Sequence, residues 1–151
     1  VLSSNVLAVA NDTQVMMVEA NVLGSGSGGS IIRIQVQNYT FFGNVSKGEM
    51  SDEIKIIVNN TGDVDVTIRP ELFNPNSDVF KHLQLRKRKS GNSSTFYPMG
   101  QFAINITKPD SQGGVNDDYF YMTLDLTDYE SDDEGDQMGR KAFVRFVAME
   151  V

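Results

Sequence analysis

Apolar and polar side chains alternate along most of this chain. Ile32, Ile34 and Val36 alternate with Arg33, Gln35 and Gln37, and Ile54, Ile56 and Val58 with Glu53, Lys55 and Ile57. The same period recurs in Val64, Val66 and Ile68, in Phe102, Ile104 and Ile106, and in Phe120, Met122, Leu124 and Leu126. A period of two places one side of each segment inward and the other outward, the signature of a half-buried β-strand. The final segment, 142–151, is apolar at both parities apart from Arg145 and Glu150, which predicts a strand covered on both faces. Turn formers punctuate these runs: Gly43-Asn44, Lys47-Gly48, Asn60-Thr61-Gly62-Asp63, Asn74-Pro75-Asn76 and Gly113-Gly114. Short strands at this spacing, with no helical stretch, predict an all-β single domain, a jelly-roll or Ig-like β-sandwich.

The N-terminal residues read differently. Residues 5–10 form a short uncharged apolar segment and residues 15–23 a second; Gly24-Ser25-Gly26-Ser27-Gly28-Gly29-Ser30 bridges to the first clear strand. The chain therefore divides into an arm with its bridge, 1–30, and a sandwich body, 31–151. The arm can serve as the first strand of its own sandwich or as a donor strand completing a neighbour's sheet. In the second case Val6, Leu7, Ala8, Val9 and Ala10 are the inserted residues, and the candidate acceptor groove lies at Phe143, Phe146, Val147 and Met149 on the last strand.

Composition narrows the chemistry. The 151 residues carry 20 acidic and 13 basic side chains, a net charge of −7, which argues against nucleic acid and anionic membrane partners. No apolar run approaches the ~20 residues of a membrane span. There is no Cys, hence no disulfide, thiol nucleophile or thiolate metal site, and His82 is the single His. No catalytic set, cofactor site or HExxH motif is legible, so the expectation is a non-enzyme. A first residue of Val1 rather than Met suggests a removed leader and export.

Six Asn-x-Ser/Thr triplets begin at Asn11, Asn38, Asn44, Asn59, Asn92 and Asn105, against roughly two expected by chance. Such an excess predicts a glycan-coated extracellular surface, because each glycan must sit outside. Combined with the lack of Cys, it leans towards a prokaryotic, especially archaeal, cell surface. Parity places Asn59 and Asn105 outward and Asn44 and Asn92 in turns. Asn38 shares the parity of Ile34 and Val36 and is the least favoured acceptor.

Two charged clusters remain. Arg86-Lys87-Arg88-Lys89 is basic, whereas Asp128, Glu130, Asp132, Asp133, Glu134 and Asp136 are acidic. Arg86, Lys87, Arg88 and Lys89 are candidate inter-subunit partners for Asp132, Asp133 and Glu134, since opposite clusters can set register across a junction. The acidic run lacks EF-hand spacing, so Asp128, Asp132 and Asp136 read as a solvated loop before they read as a cation site.

The stretch from Phe42-Gly43-Asn44 through Lys47-Gly48-Glu49, then Ile54–Val58 and Asn60-Thr61-Gly62-Asp63, resembles the "N-x-x-P-G-[DE], strand, N-[TN]-G-[DS]" pattern of TasA/camelysin-like biofilm fibre proteins and related archaeal bundling-pilus subunits. Lys47 stands where that pattern carries Pro. The segment 143–148 is similar to their closing strand. The resemblance implies a jelly-roll subunit, exported by a cleaved signal peptide, that polymerises with copies of itself by N-terminal strand donation. The competing expectation is a non-catalytic adhesion or carbohydrate-binding surface module. Such a module needs an aromatic platform, for which Tyr119 and Tyr121 are the candidates in a chain without Trp.

Overall fold

Among the described residues nine strands form where short runs of β-branched and aromatic residues alternate with polar ones between turn residues. They are β1 (Met16–Glu19), β2 (Ile34–Val36), β3 (Ile54–Asn60), β4 (Val66–Leu72), β5 (Leu83–Lys87), β6 (Tyr97–Pro98), β7 (Ile104–Ile106), β8 (Asn116–Leu124) and β9 (Val144–Glu150). The computed structural model describes residues 16–19, 30–73, 78–87, 95–110, 116–130 and 140–151. Two 3-10 turns, Val79–His82 and Met99–Gln101, precede β5 and β7. Among the described residues no helix is long and apolar enough to cross a membrane.

The strands make two sheets, ordered β1-β9-β4-β7 and β2-β3-β8-β5-β6. Among the described residues the pairings are antiparallel except β1 with β9, which is parallel and sets Met16 opposite Val144 and Glu19 opposite Val147. From β1 to β2, β3 to β4, β4 to β5, β6 to β7, β7 to β8 and β8 to β9 the chain passes from one sheet to the other. Neither sheet can therefore close its core without the other.

The facing residues follow the period of two. Ile56, Val58, Phe120, Met122 and Leu85 of the second sheet meet Val66, Ile68, Ile104, Ile106 and Phe146 of the first in one buried cluster. Phe120 links them, 5.0 Å from Phe102 and 6.1 Å from Phe146 between ring centroids. Burying each such side chain is worth about 1.5–3 kcal/mol. Pro70 is tolerated inside β4 because β7 reaches only Val66–Ile68; at Pro70 the described pairing is to β9 alone, so no partner asks for the missing N–H.

Two expectations need correction. The last strand is not covered on both faces: Val144, Phe146 and Ala148 are buried, but Arg145 and Val147 are half-buried and Met149 is 41% exposed. A central strand in a two-layer sandwich has only one face towards the core. Arg86, expected as an inter-subunit charge, lies in β5 and is 5% exposed. The basic run hid this strand, whose inward residues are Leu83 and Leu85.

Candidate functional site

The most informative region is where the N-terminal part of the chain meets the body. β1 adds to the first sheet beside β9, so part of the N-terminal thirty residues lies within the sandwich. The main chain is described again at Ser30, whose Oγ donates to Glu150 Oε1 at 3.2 Å. Residues 31–33 are then held by the turn that follows β3. Thr61 N donates to Arg33 O at 2.9 Å and Asp63 N to Ile31 O at 3.0 Å. The Asp63 carboxylate in return accepts Ile31 N at 2.6 Å. A Cβ at Gly62 would run into the Ile31 carbonyl oxygen and stand 2.9 Å from Arg33 N, so only glycine allows this approach. Asn60 anchors the turn from below, donating to Val64 O at 2.8 Å and Thr107 O at 3.2 Å and accepting Gly62 N at 3.0 Å.

The proposed donor residues Val6, Leu7, Ala8, Val9 and Ala10 lie outside the described residues. Of the candidate acceptor residues, Phe146 is fully buried and belongs to the core, because its parity on β9 points between the sheets. Phe143 and Met149 are exposed and Val147 half-buried, on the other parity. Beside them Arg145 pairs with Glu71 at 2.8 Å and lies over Phe73.

The outer face of the second sheet carries a ladder of charges and rings. The register sets Lys55 opposite Tyr121 and Tyr121 opposite Arg86. Lys55 Nζ stands 4.0 Å from the Tyr119 ring centroid, and the Arg86 guanidinium 4.4 Å from that of Tyr121. The two tyrosines meet edge to face at 5.7 Å. Arg86 also donates through Nε and Nη2 to both carboxylate oxygens of Glu53, and this hydrogen bonding raises its pKa against the opposing effect of burial. Arg86 is therefore engaged within its own subunit. Lys87 is exposed, whereas Arg88, Lys89, Asp132, Asp133 and Glu134 lie outside the described residues.

Four of the six candidate acceptor asparagines lie among the described residues. Asn38 is exposed, because β2 ends at Val36 and the inward parity no longer applies. Asn44 is exposed one residue after Gly43, and Asn105 is exposed on β7, its Oδ1 accepting Thr67 Oγ1 at 2.8 Å. Asn59 is half-buried and borders a shallow groove with Gln35, Gln37 and Ile57. Asn11 and Asn92 lie outside the described residues. Asp128 is exposed, Asp132 and Asp136 are outside, and no group of three metal-ligating side chains occurs among the described residues. His82 packs edge-on against Tyr129 at 5.4 Å.

No family model, curated protein or solved structure matches this chain.

Proposed function

We propose that this chain is the structural subunit of an extracellular, N-glycosylated filament, of archaeal cell-surface type, that polymerises by N-terminal strand donation in the manner of the fibre and bundling-pilus subunits it resembles. The observation that carries the reading is the parallel β1–β9 pairing at the end of a long tether. Ten residues separate Glu19 from Ser30, with Glu19 opposite Val147 and Ser30 bonded to Glu150. Three strand residues span about 10 Å, whereas ten extended residues reach about 33–36 Å. The tether far exceeds the gap, so β1 can pair with β9 of its own subunit or of the next. The apolar residues 1–10 then extend the donated strand.

The carbohydrate-binding alternative is less well supported. Tyr119 and Tyr121 each carry a cation over a ring face and press on one another at 86°, so they do not offer a flat stacking platform.

Negative-stain microscopy of native material tests the reading, with filaments as the expected result. Removing residues 1–10 is expected to give folded subunits that no longer polymerise and that bind a peptide of residues 1–10. Filaments unaffected by removal of residues 1–10 take that segment out of the donated strand, and filaments unaffected by removal of residues 1–19, β1 included, overturn strand donation.

A further inference from the structure

The Asn60-Thr61-Gly62-Asp63 turn does more than reverse the chain after β3. All four residues bear on residues 31–33 or on the support beneath them, and the bonds run in both directions between the two segments. Thr61 adds its hydroxyl to the Arg33 carbonyl at 3.4 Å. The support reaches into the opposite sheet, since the Asn60 amide donates to the carbonyls of Ile106 and Thr107 at the end of β7. Residues 31–33 lead directly into β2, which is three residues long and, among the described strands, stands at the edge of its sheet. An edge strand this short is the weakest part of a sandwich, because only one neighbour holds it. Ile34 of β2 and Ile32 in the segment just before it are buried in the core.

Resting on the filament reading, we infer that the turn at residues 60–63 is a mechanical anchor for the donated N-terminal segment. A pull on that segment reaches the body at Ser30. Without the anchor it would peel β2 from β3, withdraw Ile32 and Ile34, and open the core from its edge. With it, the load passes from residues 31–33 through Asp63, Thr61 and Asn60 into both sheets at once. Gly62 makes the contact close enough to form, and Asp63 supplies the acceptor for the first amide of the body.

The test is single-molecule force spectroscopy on the full chain, which has no native Cys to interfere with thiol handles. One handle is fixed at Val151→Cys; the other is placed at Ser3→Cys, which loads the N-terminal segment, or at Ser46→Cys, which does not. Asp63→Asn and Thr61→Val are expected to lower the rupture force that follows release of β1 when the handle is at residue 3. They should leave it unchanged when the handle is at residue 46. Gly62→Ala should give the larger loss in the first geometry, and the two milder variants keep the test informative if Gly62→Ala does not fold. An equal loss in both geometries, or no loss with the handle at residue 3, overturns the anchor. The measurement uses monomers, so a native preparation without filaments would overturn the proposed function and leave the force result to judge the anchor separately.

Discussion

Asn60 is fully buried, yet both ends of its amide are satisfied: Nδ2 by carbonyls at Val64, Ile106 and Thr107, Oδ1 by Gly62 N. Deleting the side chain leaves buried carbonyls and an amide without partners, each costing about 1–3 kcal/mol. Asn60→Ala should therefore lower stability by at least about 2 kcal/mol, read as a lower urea midpoint at unchanged slope. An unchanged midpoint would mean that the brace between the sheets is idle. Asp78 contributes one small pH dependence. The hydrogen bond and charge of Lys81, 2.9 Å away, hold its carboxyl below the ordinary range. A depressed carboxyl stabilises the fold above its unfolded pKa, and that contribution fades as pH falls through the folded value. Because both side chains are well exposed, salt should weaken the effect. Carboxyl-carbon NMR should find Asp78 titrating below reference peptides, and Lys81→Met should raise it; no response to Lys81→Met would count against the pair.

At the level of elements, Gly48 occupies the left-handed region at φ +83° in the tight turn before β3, where Glu49 N bonds back to Ser46 O. Nothing crowds the site, so Gly48→Ala should cost only the backbone term of about 1–2 kcal/mol, and Gly48→Asn less. Thermal melts of the two variants compare directly, and equal melting temperatures would refute this. The Glu53–Arg86 pair ties the approach to β3 onto β5 across β8. Glu53→Gln should cost about 1–3 kcal/mol by weakening the charged hydrogen bonds of a buried guanidinium. Glu53→Gln with Arg86→Met should recover most of that loss, because Arg86 Nη1 is already buried without a partner. A double variant less stable than the single would reverse this account. Alternation made the strands around Ile34, Ile56, Ile68, Ile104 and Phe120 legible, since each has one wet face and one dry face. Leu83–Lys87 was not legible, because a guanidinium buried by ion pairing looks the same in sequence as a solvated one. The β1–β9 contact was also hidden: pairing between the two ends of a chain leaves no local period.

For the whole molecule, four of the six candidate acceptor asparagines are placed. Asn38, Asn44 and Asn105 are exposed, while Asn59 is half-buried beside its groove. The exposed set was partly readable from parity and turn position, whereas Asn38 depended on where β2 stops. In the glycoprotein reading, intact native protein should exceed its bare 16.7 kDa, with attachment at Asn44 and Asn105 before Asn59. A mass equal to the bare chain would remove the glycan coat from the proposal. In the filament reading, Lys87→Glu should weaken assembly while leaving the monomer's melt unchanged, because among the described residues of the basic cluster Lys87 is exposed and Arg86 is held at home. Filaments of unchanged yield and salt sensitivity would exclude Lys87 from the junction.

The pairing of β1 with the β9 edge has a kinetic consequence in the proposed filament. Donor and acceptor are different surfaces on each subunit, so donation passed on from subunit to subunit, and not returned in a reciprocal exchange, builds an open chain whose two tips are chemically unlike. One tip presents a vacant β9 edge and the other an unused strand. A subunit cut back to begin at Ser30 keeps the first and lacks the second. Mixed in as a small fraction, it should act as a chain terminator on one tip only, shortening filaments as its mole fraction rises without slowing growth at the other.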